Sequence, residues 1–183
     1  MNRDLERALQ RMMQDIKIEL ADEFDRNFER QGFFNESWQR RRSPLRPGAA
    51  ILSGNRLRRS ISAEVRGMSI VFTSDHPAAG IHNEGGEIVV TARMKRFFWA
   101  KYYEATGGIA KRKNGEQRQT KRNMQISTEA QFWRAMALIK AGNTIKIPRR
   151  RFIGEHPEVE KCCSAIITKA LDDYFNQLNI TKR

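Results

Sequence analysis

The chain is short of cysteine, of histidine and of long apolar runs. Its two cysteines, Cys162 and Cys163, are adjacent. Neighbouring cysteines rarely close a disulfide because the ring is strained, so both read as small buried hydrophobes. No Cys/His set has the spacing of a zinc site, and no metal or cofactor is expected. No apolar stretch approaches the roughly 18–20 residues that cross a bilayer. The segment Met1 to Arg11 is charged and polar, unlike a secretory signal. The expectation is a protein made in the cytosol with no membrane partner. The three histidines are His76, His82 and His156. His82 and Glu84 flank Asn83, but a spacing of two on a helical turn does not put them on one face. No nucleophile elbow or phosphate-binding loop is present, and Gly54-Asn55 and Gly85-Gly86 read as turns. The chain is therefore read as a non-enzyme, with His82 hydrogen-bonded in a packed turn.

What is present is positive charge. The 183 residues carry 34 Lys and Arg against 21 Asp and Glu, a formal net charge of +13. Such a surplus attracts polyanions or acidic protein surfaces and says nothing about the fold. Hydrophobic residues make up 39% of the chain, enough for a modest core. The length suits one domain over residues 1–183, with a core at 1–90 and 144–183 and an inserted arm at about 91–143.

The first segment is periodic. Leu5, Leu9, Met12, Ile16, Leu20, Phe24 and Phe28 recur at steps of three or four, which predicts a helix from about Asn2 to Gln31. Gly32 follows and is the expected left-handed cap. Asn35 to Ser53 reads as extended loop, with Trp38, Pro44 and Pro47. From Arg40 to Arg59 there are seven arginines and no acid. Ile61, Ala63 and Val65 alternate as in a half-buried strand. Arg66-Gly67 is the expected turn, and Met68 to Thr73 the second strand of the hairpin. Pro77 to Glu84 reads as a short helical turn, and Ile88 to Val90 as a strand. Ala92 to Glu104 reads as an aromatic helix, and Ile109 to Gln125 as a mobile loop. Thr128 with Gln131 three later suggests a capping box opening a further helix. That helix would carry Phe132, Met136 and Ile139 on one face and stop at Gly142. Thr144 to Pro148 is a last strand, and Pro157 opens a last helix. Its core stripe is Val159, Cys163, Ile166 or Ile167, Ala170, Tyr174 and Leu178. The fold class is α+β: an antiparallel sheet flanked by long terminal helices, with an inserted helical, basic arm.

The arm is the sharpest charge feature. From Arg93 to Arg122 there are ten basic residues and two acids. Arginines interleaved with aromatic rings, as in Lys95-Arg96-Phe97-Phe98-Trp99, can stack on bases and pair with phosphates. The DNA-facing candidates are Arg93, Lys95, Arg96, Lys111, Arg112, Lys113, Arg118, Lys121 and Arg122. One reading of the chain is thus a nucleic-acid-binding module acting through residues 93–122. The bland alternative is an amphipathic helix with a basic solvent face.

Three further stretches carry a resemblance. The first is Trp38 followed by Pro44-Leu45, after a helix ending in phenylalanines and glycine. The second is Leu52-Ser53-Gly54-Asn55-Arg56-Leu57-Arg58-Arg59-Ser60-Ile61. The third is split between Ala79-Gly80-Ile81-His82-Asn83-Glu84-Gly85-Gly86 and Ile147-Pro148-Arg149-Arg150-Arg151-Phe152-Ile153-Gly154. In order and spacing these resemble the phage virion morphogenesis, or tail completion, family; Asn55 is an extra residue by that pattern, and Ile88 to Lys146 carries no comparable signature. The resemblance implies a structural assembly protein of a tailed bacteriophage. It would complete the tail and/or join it to the head as part of a ring, such as a hexamer. The implied partners are further copies of itself, the tail tube and the head connector and neck proteins, with non-specific contact to passing DNA. The implied location is the virion tail or neck. Arg56, Arg58, Arg59, Arg149 and Arg151 then read as contact or framework residues, since Arg pairs bidentately with carboxylates. Trp38, Gly54, Leu57, His82, Gly85, Phe152 and Gly154 read as turn and core framework.

Overall fold

The computed structural model describes residues 3–40, Leu52 and residues 55–181. In chain order the elements are α1 (Arg3–Arg30), β1 (Gly32–Phe33), β2 (Glu36–Ser37), α2 (Asn55–Arg59), β3 (Ile61–Arg66), β4 (Ser69–Ser74), α3 (Ala79–Glu84), β5 (Gly86–Val89), α4 (Ala92–Gly107), α5 (Lys121–Leu138), β6 (Thr144–Ile147) and α6 (Pro157–Thr181). The fold is α+β with long helices at both ends. The strands form three separate two-stranded antiparallel ladders, β1 with β2, β3 with β4 and β5 with β6, rather than one sheet. The described residues form two compact units. The first contains residues 3–39, Leu52, 55–84 and 149–181, and the second contains Arg40 and residues 85–148.

The first unit is built on α1. Met12, Met13, Ile16, Leu20 and Phe24 bury one stripe of this helix, as the spacing requires. The β3–β4 hairpin offers Val65, Ile70 and Phe72 to that stripe, and Phe72 meets Phe24 edge to face at 4.9 Å. From the other end of the chain, α6 contributes Val159, Cys162, Cys163, Ile166 and Ala170. Burial pushes both thiols above their ordinary pKa, which suppresses the reactive thiolate. The hairpin register pairs Arg66 with Ser69, so the turn is Gly67-Met68 rather than Arg66-Gly67. Gly67 takes φ +60, as the first centre of a type II′ turn demands.

Three helix ends depart from the sequence expectation, one of them the end of α5, which stops at Leu138 rather than at Gly142. After α1 the left-handed residue is Gln31, at φ 54, not Gly32. Gly32 is needed for a different reason. Its Cα lies against the β2 backbone, and a Cβ there would stand 2.6 Å from the Glu36 carbonyl oxygen. In the second unit, α5 begins at Lys121, seven residues before the Thr128 box. The N-cap is Thr120, whose Oγ1 accepts from the Asn123 amide at 3.2 Å. Thr128 lies inside the helix, where its hydroxyl donates to the Met124 carbonyl at 2.9 Å.

The second unit is a helix pair on a short ladder. Phe98 of α4 stacks on Trp133 of α5, with ring centroids 6.0 Å apart. The buried positions of α5 are Asn123, Ala130 and Ala137, while Phe132 and Met136 are half-buried and Ile139 is the C-cap. The segment before α5 is tied to it. Asn123 Nδ2 donates to the carbonyls of Ala110 (2.7 Å) and Arg118 (2.6 Å), and its Oδ1 accepts from the Ala110 amide at 3.1 Å. Within that segment Lys111 pairs with Gln117. Asn123→Ala should therefore loosen residues 110–118 first. Faster amide exchange of the Arg118 and Arg112 N–H groups, with α1 and α6 unaffected, is the expected readout.

Candidate functional site

In the first unit, residues 149–154 run between α1, α3 and the segment after β2, and five of their backbone groups are held by hydrogen bonds from those elements. Trp38 Nε1 donates to the Arg151 carbonyl at 2.7 Å. The Arg150 amide donates to the His82 carbonyl at 2.7 Å, and Arg150 Nε donates to the Gln39 carbonyl at 3.4 Å. Asn83 Oδ1 accepts from the amides of both Phe152 (3.0 Å) and Ile153 (3.1 Å). Asn27 of α1 is fully buried. Its Nδ2 donates to the Phe152 carbonyl at 3.2 Å, and its Oδ1 accepts from the Phe34 amide at 2.9 Å. Buried amides must be paired in this way, and here two asparagine side chains replace a strand partner.

The side chains of the same segment fill a second apolar cluster. Phe152 is 2% exposed and packs with Phe28, Trp38 and Leu57, with Leu52, Ile61, Ala79 and Ile153 at the border. Arg151 lies over the Phe33 ring, 5.0 Å from its centroid. Gly154, at φ +147, leaves room for the Arg151 guanidinium, which a Cβ there would meet at 2.4 Å. Beyond the segment, His156 stacks on Phe34 at 4.5 Å, and its Nδ1 accepts from the Glu158 amide at the start of α6.

The sequence-named arginines divide by environment. Arg58 bonds to Asp25 and to Glu29, the latter at 2.8 Å, both on α1. Hydrogen bonding from Arg58 holds the Asp25 carboxyl below its ordinary pKa, and the bonds to Asp25 and Glu29 raise that of Arg58. Arg149 is exposed; its Nε donates to the Asn83 carbonyl at 3.4 Å, and its guanidinium lies 3.5 Å from Glu84. Arg56 and Arg59 are exposed on α2, while Leu57 between them is buried. Glu84 is thus engaged by Arg149 and by Asn83 Nδ2. Gly85 takes φ +75, a turn position suited to glycine. Gly54 lies outside the described residues, as do Pro44 and Leu45.

Asp25 and Arg58 give a sign-definite pH prediction. Asp25's folded pKa is depressed, so its contribution is present above the unfolded carboxylate pKa of about 4 and is lost as pH falls through the folded value. The pair is partly exposed to solvent, so Arg58→Ala should cost only about 0.5–1 kcal/mol at neutral pH and low salt. Urea melts of parent and variant should converge as pH drops below that range.

In the second unit the basic residues are spread over three places. Arg93 and Arg96 are exposed on α4, while Lys95 Nζ reaches the Ile139 carbonyl at the end of α5, 2.9 Å away. Lys111, Arg112, Lys113 and Arg118 lie on the tied segment, with Arg112 3.9 Å from Glu116. Lys121 and Arg122 open α5. Residues 85–148 hold thirteen Lys and Arg against four Glu, a surplus of nine.

Sequence reading missed Asn27 and Asn83. Asn27 had a visible signal, a polar residue three after Phe24 on the apolar stripe. Asn83 had none beyond standing between His82 and Glu84. Among the described residues no group of three or more His, Cys, Asp or Glu is placed to hold a metal ion, and no helix is long and apolar enough to cross a membrane.

These observations define an α+β protein in which side chains from α1, α3 and the segment after β2 clamp one loop. The chain matches the model of the phage virion morphogenesis family over residues 2–172. It belongs to that family, which gives it a structural and assembly role in the phage particle, alongside other virion components. Comparisons with curated proteins and with solved structures give no match.

Proposed function

We propose that the protein completes the phage tail and joins it to the head connector as one subunit of a ring, with a hexamer as the expected size. The observation that carries this reading is family membership over nearly the whole chain. The geometry supports it in one respect: the 149–154 loop is fixed by Asn27, Asn83 and Trp38, so Arg149 is presented from a rigid frame. Arg56, Arg59 and Arg149 are the contact residues toward neighbouring subunits or neck proteins, and Arg58 and Arg151 serve the frame. A ring subunit shows different surfaces to its two neighbours, and its energy of assembly comes from contacts repeated in every copy. The test is deletion of the gene from the phage, followed by electron microscopy of the lysate. DNA-filled heads beside unattached or overlong tails are expected; intact infectious particles would refute the reading.

The surplus of nine positive charges in residues 85–148 favours a second activity, sequence-blind contact with nucleic acid. Oligonucleotide affinity should then fall steeply with salt, and Lys111→Ala with Lys113→Ala should flatten that slope by about two counterions.

A further inference from the structure

Among the described residues two helix faces stand exposed, and the charges beside them differ in sign. On α4 the exposed positions Arg93, Arg96, Phe97, Ala100 and Tyr103 recur at steps of three and four, so they form one face. Phe97 is 52% and Tyr103 65% exposed. The Tyr103 ring is not loose, since it stacks on Trp99 at 5.9 Å. This is a basic face with two rigid aromatic rings, set on the unit that carries a surplus of nine positive charges.

On α6 the residues to one side of the packed stripe are Glu160, Ser164, Ile167, Leu171 and Phe175, again at steps of three and four. Ile167 is 37%, Leu171 41% and Phe175 56% exposed. A three-residue apolar row on a surface helix is a contact feature rather than scatter. Two acids of α6 border it, Glu160 and Asp172. The α1–α6 pair together holds twelve Asp and Glu against eight Lys and Arg. The one lysine beside Glu160, Lys161, is already engaged by Glu158 at 2.6 Å.

The two faces also match in length. Arg96 to Tyr103 rises about 10 Å along its helix and Ile167 to Phe175 about 12 Å, at roughly 1.5 Å per residue. We infer that the α4 face of one copy packs on the α6 face of a second copy, Phe97 and Tyr103 meeting Ile167, Leu171 and Phe175 while Arg93 and Arg96 meet the acidic border. The occupant is a second copy because this chain itself carries both complementary surfaces. Such a contact is heterologous, using one face as donor and a different one as acceptor, so it propagates from copy to copy. The inference rests on the ring reading above and supplies the subunit contact for it.

The test uses two full-length variants, each confirmed folded by circular dichroism and thermal melting. The first, Arg93→Glu/Arg96→Glu, spoils the α4 face; the second, Leu171→Glu/Phe175→Glu, spoils the α6 face. Sedimentation velocity of the parent should show an oligomer, and each variant alone should fall to a single chain. Mixed one to one, the variants should form a dimer and stop there, because only one sound interface remains between them. Variants that assemble like the parent, or a mixture that stays monomeric, would overturn the contact while leaving the ring reading intact. A parent that is monomeric at its solubility limit would overturn the contact too, and the gene deletion would then decide the ring reading separately. Fluorescent oligonucleotide binding is measured on the same samples. If the first variant keeps the parent's assembly state and loses the oligonucleotide, the α4 face serves nucleic acid and the contact is refuted.

Discussion

Phe152→Ala should be the most damaging single truncation in the first unit, lowering stability by about 3–5 kcal/mol. The ring is 2% exposed and stands 5.2 Å from Phe28, with Trp38 and Leu57 closing the cluster. These neighbours come from α1, from the segment after β2 and from α2, each held by its own contacts, so the site cannot collapse onto a cavity. Loss of apolar burial and loss of dispersion contacts then add. A small domain has about 5–15 kcal/mol in total, so the variant sits near the unfolding threshold. Phe152→Leu should cost much less, because most of the volume remains. Chemical denaturation followed by tryptophan fluorescence reports this directly, since Trp38 meets Phe28 edge to face at 5.7 Å in the same cluster. A loss below about 1 kcal/mol for the alanine variant would mean that the cluster repacks and that the loop is not held by its phenylalanine.

The parts of the fold that could be read from the sequence are those set by short-range periodicity. Leu9 to Phe28 gave α1 almost to the residue, Ile61 to Val65 gave β3, and Pro157 marked the start of α6. The parts that could not be read depend on side chains finding distant backbone. Residues 109–120 look like free loop because their order comes from Asn123, whose bonds reach back to Ala110 and Arg118. Apolar residues lie around α5 on several sides, so Phe132 and Met136 pointed to a face that is only half-buried, while the buried contacts fall on Ala130 and Ala137. Splitting of the strands into three ladders was equally hidden, because alternation identifies a strand but not its neighbours. For the candidate site, Trp38, Phe152 and Gly154 were visible through their resemblance to a family pattern. Their physical anchor, a buried asparagine on α1, was not sought there because the helix reading treated the stripe as purely apolar.

That asparagine carries the second large expectation. Asn27→Leu should destabilise the protein by about 2–4 kcal/mol, although it places a hydrophobic residue of similar size in a fully buried position. The substitution leaves the part-buried Phe34 amide and the buried Phe152 carbonyl without their partner. Asn27→Asp separates the two bonds. Its carboxylate still accepts from the Phe34 amide but cannot donate to the Phe152 carbonyl, and at neutral pH it adds a buried charge. The aspartate variant should therefore recover as pH falls and the carboxyl is protonated, whereas the leucine variant should not. Coupling gives a further check. Asn27 and Phe152 share one loop, so the double variant Asn27→Leu/Phe152→Ala should cost less than the two single losses together. Strict additivity would mean that the hydrogen bond and the ring act independently. The loop would then be two adjacent features rather than one clamp, and the rigid presentation of Arg149 would lose its physical basis.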